Sequence, residues 1–413
     1  MLHVRLPGDA LDAAEEFEAL GDSAGAEVVG RFRHRRDTPD PRTFIGRGKV
    51  RELADQVEAL EAALVLVDQP LSPAQERNLE QDLGCRVLDR TGLILDIFAQ
   101  RARTYEGRLQ VELAQLKHVA SRLVRGWSHL ERQRGGIGLR GPGEKQLEMD
   151  RRLISGRIQQ IERRLAKVRR TREQGRKARR KRDLPVVSLV GYTNAGKSTL
   201  FNRLTGEGRQ VADQLFATLD PAWRRIELGG GTAAVLSDTV GFISRLPHDL
   251  VAAFHSTLEE VTDADLLLHV IDAGAEEREH QIEQVEAVLA ELGAQDVPTL
   301  RVYNKIDTCS LGAGRVVEEG EVRGVRISAT SGEGIDDLAP VIGSLLGPER
   351  VRRRVLLRPE QGRLRSRLFH LGHVLGERLG DGGRLELEVE LPAHELERLH
   401  VREGLSRDEV VAP

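Results

Sequence analysis

The stretch from Val186 to Ser198 constrains the fold more than any other part of this chain. Val186-Val-Ser-Leu-Val190 reads as a buried strand, and the residues from Ser198 onward read as a helix. Between them lie Gly191, Tyr192, Thr193, Asn194, Ala195, Gly196, Lys197 and Ser198, the spacing of a phosphate-binding P-loop. Strand, Gly-rich loop and helix in that order predict an α/β fold whose centre is a doubly wound sheet. Gly191 and Gly196 let backbone N–H groups approach phosphate oxygens, and the helix N-terminus adds its positive end. Lys197 is expected to reach the β and γ phosphates, and the Ser198 hydroxyl to ligate Mg²⁺.

A P-loop alone leaves the base open. Asn304, Lys305, Ile306 and Asp307 follow an apolar run ending at Val302-Tyr303. A carboxylate at Asp307 can accept both N–H groups of guanine's Watson–Crick edge, a donor pair that adenine lacks. Sites built to pair polar groups reject analogues without them by roughly 10⁴ or more, so GTP and GDP are the expected ligands. Asn304 and Lys305 shape that pocket. Ser328, Ala329 and Thr330, after the strand Val325-Arg-Ile327, are expected to bring a backbone N–H near the guanine O6.

Two further stretches concern the γ phosphate. Asp238, Thr239, Val240 and Gly241 follow the run Ala233 to Ser237, so the Asp238 carboxylate can hold Mg²⁺ through water while the Gly241 N–H turns toward the phosphate. Phe216, Ala217, Thr218, Leu219 and Asp220 lie between P-loop and Asp238, with Thr218 the second candidate Mg²⁺ ligand in a loop ordered by GTP. Many GTPases place a water-orienting Gln after that glycine, whereas here the residue is Phe242. An apolar ring cannot hold water, so intrinsic hydrolysis is expected to be slow and partner-dependent, and no side chain is assigned as catalytic. Asn194 is a candidate potassium ligand.

The chain has 413 residues, which suggests roughly two to four domains. Two cysteines, Cys85 and Cys309, exclude a disulfide framework or a zinc-finger site and fit a reducing compartment. No run approaches the apolar length of a spanning helix, and the start lacks the charged and apolar regions of a signal peptide. A soluble, cytoplasmic chain is therefore expected. Its net charge of −3 hides a basic segment running from Arg151-Arg152 to Arg176-Lys-Ala-Arg-Arg-Lys-Arg182.

That segment is a helical arm. Leu109, Leu113, Leu116, Ala120, Leu123, Trp127 and Leu130 repeat at alternating spacings of four and three, as do Ile154, Ile158, Ile161, Leu165 and Val168. Two such seams predict an antiparallel hairpin over 106–182, with a Gly-rich tip at 133–144. Arg134, Gly135, Gly136, Arg140 and Gly141 are the candidate RNA contacts, meeting phosphates with guanidiniums and backbone N–H groups. Aromatic residues make up only 3% of the chain, so electrostatics and shape should outweigh base stacking. A protein or an anionic membrane surface remains the alternative partner of this arm, as peripheral association.

Residues 1–105 read as a small α/β unit: a strand at Ala63–Val67, a helix capped by Ser72 through Leu83, a strand at Arg86–Asp89 and a helix from Thr91. Phe44-Ile-Gly-Arg-Gly-Lys49 lacks the P-loop spacer and reads as a turn before a helix from Val50 to Leu60. The nucleotide domain is expected over 183–348, and a small α+β domain over 349–413. That last domain should hold a strand at Arg352–Leu357, a helix from Gln361 to Leu379 and a strand at Arg384–Glu390 with one wet face.

Taken together, Phe44-Ile-Gly-Arg-Gly-Lys49, Val87 to Phe98, Gln110 to Gln115, Gly135-Gly-Ile-Gly138, Gly141-Pro-Gly-Glu144, Phe216 to Asp220 and Asp238 to Phe242 resemble the HflX family of translational GTPases over nearly the whole chain. Leu139 and Lys145 depart from it, standing where that family usually has Thr. The resemblance implies binding to the rRNA of the large ribosomal subunit, with the tip near the peptidyl-transferase region, and GTP-dependent splitting of stalled or idle ribosomes. A monomer without an obligate protein partner is expected. The alternative is a non-ribosomal GTPase switch.

Overall fold

Parallel pairing of β1 (Leu2–Arg5), β2 (Phe32–Arg35), β3 (Leu64–Val67) and β4 (Arg86–Asp89) forms the first sheet of the computed structural model, in the order β2-β1-β3-β4. Parallel neighbours need crossovers, and helices α1 (Ala13–Ser23), α2 (Arg47–Ala59) and α3 (Pro73–Leu83) supply them. Period two sorts the strand residues: Val65 and Val67 join the core under α2 and α3, while Leu66 joins Phe17 and Leu20 of α1 and Ile94 and Ile97 of α4 (Arg90–Arg101) on the other face. Ser72 and Gln75 form a capping box at α3, and Asp89 caps α4 by accepting the Gly92 N–H at 2.9 Å. Helix α2 begins at Arg47, so the turn expected up to Lys49 is shorter than its glycines suggested. The first β–α–β unit is absent from the sequence reading.

The structure describes residues 1–7, 13–126, 142–180, 184–206, 215–216, 218–219, 222–229, 232–244, 261–346, 350–359, 361–371, 373–380, 384–392, 396, 399, 405–406 and 409–411. Helices α5 (Tyr105–Gly126) and α6 (Pro142–Arg180) zip along Leu109, Leu113, Ile161 and Leu165, with Leu116 and Ile158 packed against them. Pro142 opens α6, so the last tip positions are helical. Arg157 bonds Glu112 at 2.7 Å across the seam. Arg122 of α5 pairs with Asp89 at 2.8 Å and with Glu76, tying the arm to the first sheet. Arg151, Arg152, Arg163, Arg164 and Arg170 are exposed on α6. Trp127 and Leu130 lie outside the described residues.

The central sheet has seven strands: β5 (Val186–Val190), β6 (Ala222–Gly229), β7 (Thr232–Asp238), β8 (Leu266–Asp272), β9 (Thr299–Asn304), β10 (Gly314–Glu318) and β11 (Glu321–Arg326), ordered β10-β11-β9-β8-β5-β7-β6. Its edge strands β6 and β10 pair antiparallel to their neighbours, and the five inner strands run parallel. Helices α7 (Lys197–Thr205) and α8 (Arg278–Glu291) follow β5 and β8. The carboxyl ends of β5, β7 and β9 carry the motif loops, where doubly wound sheets bind ligands.

Helix α9 (Ile335–Leu346) contains the point, between Ala339 and Pro340, at which the chain divides into two units. In the second unit β12 (Arg350–Leu357), β13 (His373–Leu379), β14 (Leu385–Pro392) and β15 (Val410–Val411) form an antiparallel sheet, order β13-β14-β12-β15, with helix α10 (Gly362–Leu371). The helix expected from Gln361 to Leu379 therefore ends early. Gly376 and the β-branched Val374 weaken a helix there, and antiparallel pairing with β14 supplies the competing hydrogen bonds. Alternation along β14 is as read, with Leu387, Val389 and Leu391 buried. Among the described residues no helix is long and apolar enough to cross a membrane.

Candidate guanine-nucleotide site

The P-loop folds over its own lysine. Lys197, 6% exposed, donates from Nζ to the carbonyls of Gly191 at 3.0 Å and Tyr192 at 2.7 Å. Burial pushes its ammonium down to about 8, opposed by the negative charge of Asp238. Gly196 caps α7 at φ 93°, and a Cβ there would meet the Asn304 amide nitrogen at 2.2 Å. Gly241 stands close as well: a Cβ on it would lie 3.0 Å from Lys197 Nζ. Asn194, at φ 59°, is exposed in the same loop.

Phe242 has a different part from the one its position suggests. Its N–H donates to the Gly191 carbonyl at 3.1 Å, and its carbonyl accepts the Thr193 N–H at 2.7 Å, so the segment after Asp238 is stitched to the P-loop. The ring is 2% exposed and packs in the core with Val240 and Ile243. It faces away from solvent.

Three oxygens converge beside the lysine. Ser198 Oγ lies 2.7 Å from Thr218 Oγ1 and donates to Asp238 Oδ2 at 2.8 Å, and Thr218 Oγ1 donates to the same carboxylate oxygen at 3.0 Å. Two hydroxyls and a carboxylate are the hard donor set that suits Mg²⁺. Thr218, expected from sequence only by its place between motifs, is thus brought to Ser198. Thr239 and Val240 are buried behind Asp238, while Phe216 and Leu219 are buried on either side of Thr218. Ala217 and Asp220 lie outside the described residues, as do Arg134, Gly135, Gly136, Arg140 and Gly141 of the arm.

The loops after β9 and β11 are joined through Asn304. Its amide nitrogen donates to the Ala195 carbonyl at 2.9 Å and its oxygen accepts the Ala329 N–H at 2.9 Å, linking P-loop, Asn304 and Ser328–Thr330 in one network. Lys305, at φ 64°, reaches Asp272 at 2.8 Å, Ile306 is buried beneath it, and Asp307 is exposed. Ser328 is buried and its hydroxyl accepts the Ser331 N–H at 3.0 Å. Arg203, which no motif flags, donates from Nε to the Ala329 carbonyl at 3.1 Å and from its terminal nitrogen to the Thr330 carbonyl.

The first sheet's helices meet the same loops, which sequence reasoning missed. Arg90 of α4 bonds Glu16 of α1 and donates to the Ser244 carbonyl at 2.9 Å. The Tyr192 phenol donates to Glu16 and accepts the Ser244 N–H at 2.8 Å. Burial first, then the Glu16 carboxylate, push that phenol's pKa up. Leu215 donates its N–H to Ser23 Oγ at 3.0 Å, and the Phe216 ring, at φ 56°, meets Phe98 edge-on at 4.7 Å. The amphipathic pattern around Phe17 and Leu20 was the available signal for α1. Nothing in the sequence tied it to Tyr192.

Family models match three successive segments: "GTP-binding GTPase N-terminal" over residues 12–99, "GTP-binding GTPase Middle Region" over 101–179, and "50S ribosome-binding GTPase" over 186–305. The chain is 53% identical to GTPase HflX of Escherichia coli K12 over 402 residues, covering 97% of this chain and 94% of that protein. The chain belongs to the HflX GTPase family. GTPase HflX of Magnetococcus marinus is 47% identical over 91% of this chain and 90% of its own length, and that of Caldanaerobacter subterraneus 46% identical over 94% and 89%. As an HflX-family P-loop protein it is a GTP hydrolase, converting GTP and water to GDP and phosphate. The motifs fall inside matched segments except Ile306, Asp307 and Ser328–Thr330, which follow the end of the third.

Proposed function

We propose that this chain is a nucleotide-gated GTPase that binds the large ribosomal subunit through its basic arm and separates stalled or idle ribosomes. The contact of Ser198 with both Thr218 and Asp238 carries the nucleotide part, because it joins three separate segments of the chain at one point. Ser198 and Thr218 would hold Mg²⁺ directly and Asp238 through water. The ion would neutralise charge between the β and γ phosphates. Lys197 would exchange its carbonyl partners for phosphate oxygens, Gly241 would turn its N–H to the γ phosphate, and Asp307 would read guanine.

Phe242 supports slow intrinsic turnover. Its ring packs in the core, so no side chain at that position orients the attacking water, and ordering by a partner would have to supply the missing alignment. The exposed arginines of α6 and the family model described as 50S ribosome-binding support rRNA as that partner. GTP would order the Thr218 and Gly241 loops in a ribosome-competent pose, and hydrolysis would release it.

The test is GTP turnover with and without purified large subunits, beside co-sedimentation in a non-hydrolysable analogue at several salt concentrations. Stimulated turnover and analogue-dependent, salt-sensitive pelleting are expected. Splitting is read separately, as conversion of 70S particles to subunits on a gradient. Unchanged turnover and no pelleting would remove the ribosomal reading and leave the GTPase.

A further inference from the structure

Arg203 stands on the last turn of α7, outside every nucleotide motif, yet its guanidinium spans two consecutive carbonyls of the loop after β11. Nε meets the Ala329 carbonyl at 3.1 Å and the terminal nitrogen meets the Thr330 carbonyl. A planar fork fixes two acceptors at once, which a flexible ammonium cannot do. Each carbonyl belongs to a rigid trans peptide, whose N–H points the opposite way. Holding the Ala329 carbonyl toward α7 therefore aims the Thr330 N–H away from it.

The remaining bonds of this loop are already assigned. The Ala329 N–H goes to Asn304 Oδ1 at 2.9 Å, the Ser331 N–H to Ser328 Oγ at 3.0 Å, and the Ser328 carbonyl to the Gly332 N–H at 2.8 Å. Asn304 thus grips the loop from the P-loop side and Arg203 from the α7 side. Without Arg203 the two peptides that follow Ala329 lose their partners on α7. The Thr330 side chain is exposed and adds no core packing to that restraint.

We infer that Arg203 is a positioning residue for guanine selection: it sets the peptide planes that follow Ala329 and Thr330, so that the loop presents the Thr330 N–H to the O6 edge of the base. This rests on the guanine reading of Asp307 and Asn304 proposed above, and it adds the brace that keeps the second half of that reader in register.

Three competitors separate the roles. GTP and ITP share O6 and the N1–H, ITP lacks the 2-amino group that Asp307 would read, and ATP lacks O6. Each is titrated against a fluorescent GDP analogue on the full chain, for wild type, Arg203→Ala, Arg203→Lys and Asp307→Ala. In Arg203→Ala, GTP and ITP affinities should fall together by about ten- to a hundredfold, from loss of two charge-assisted bonds. ATP affinity should hold, so the GTP-to-ATP ratio shrinks while the GTP-to-ITP ratio stays. Arg203→Lys, with one donor direction, should restore part of the loss. Asp307→Ala should instead collapse the GTP-to-ITP ratio.

Equal losses for GTP, ITP and ATP in Arg203→Ala would mean a general structural role and overturn the inference, as would unchanged ratios throughout. If wild type itself failed to prefer GTP over ATP, the guanine reading would fall first. A melting profile of Arg203→Ala matching wild type shows that the protein compared is folded.

Discussion

Glu16 and Arg90 form an ion pair, the guanidinium only 3% exposed, and both partners also reach Ser244 just beyond Phe242. The Glu16 oxygen accepts the Ser244 hydroxyl at 2.6 Å while Arg90 holds the Ser244 carbonyl at 2.9 Å. One charged pair, on α1 and α4, therefore fixes the end of the segment that follows Asp238.

Removing Glu16 leaves the buried Arg90 guanidinium without its counter-charge, which costs about 3–5 kcal/mol; removing Arg90 leaves the half-buried Glu16 with only the Tyr192 and Ser244 hydroxyls. Arg90→Ala and Glu16→Ala should each lower the melting temperature sharply, and the double variant should cost clearly less than the sum. Calorimetry on the four proteins measures the coupling. Additive losses would show that the two charges do not work as a pair.

Restoring the glutamine of other GTPases should fail here. Phe242 packs in the core, and its backbone bonds Gly191 and Thr193. Phe242→Gln is expected to bury an unpaired amide rather than aim it at water, lowering stability without raising turnover. Phe242→Ala should lose about 3–5 kcal/mol from the cavity. A Gln variant that hydrolyses GTP faster in the absence of ribosomes would contradict this placement.

Local chemistry decided what the sequence could disclose. P-loop, Asp238 and Asn304 were legible because each motif is a run of neighbours, and Ser72 announced α3 because a cap acts within one turn. The seam of Leu109, Leu113, Ile161 and Leu165 was legible by period alone. What stayed hidden depends on pairing between distant segments. Tyr192 meets Glu16 across 176 positions, and Arg203 meets the carbonyls of Ala329 and Thr330 with no motif of its own. His373–Leu379 was misread because β14 competes for its backbone, a contest invisible within seven residues.

The three-oxygen cluster predicts different fates for its members. Ser198→Ala should weaken Mg²⁺-dependent nucleotide binding by about tenfold or more, so that adding EDTA changes affinity little. Thr218→Ala should spare GDP binding and lower kcat at saturating GTP, because in the proposed mechanism its hydroxyl is needed on Mg²⁺ while the γ phosphate is present. Equal losses of GDP and GTP affinity in Thr218→Ala would place Thr218 in the resting site instead.

Asn194 gives a monovalent-ion test. It is exposed on left-handed backbone in the P-loop. Turnover should be several-fold higher in potassium than in sodium at equal ionic strength, and Asn194→Ala should erase the difference. Equal rates in both salts for the wild type would remove potassium from the mechanism.

Lys197 predicts the pH dependence of binding. Its folded value, pushed to about 8 by burial, lies below the ordinary lysine value of 10.5. Between those two values the unfolded chain holds more protons, so this group's contribution to stability rises with pH; as pH falls through about 8 the charged form is buried at full cost. Phosphate favours the charged ammonium, so nucleotide binding should draw in a proton once the solution is above that value. GDP affinity should therefore decline as pH rises from 8 to 9.5, while the nucleotide-free protein gains stability over the same range. Calorimetric titration at pH about 8.5, in two buffers of different ionisation heat, reads the proton directly. Uptake of a fraction of a proton is expected for the wild type and none for Lys197→Met. Affinity that is flat from pH 7 to 9.5, with no buffer dependence of the heat, would mean that the lysine enters the site already fully charged.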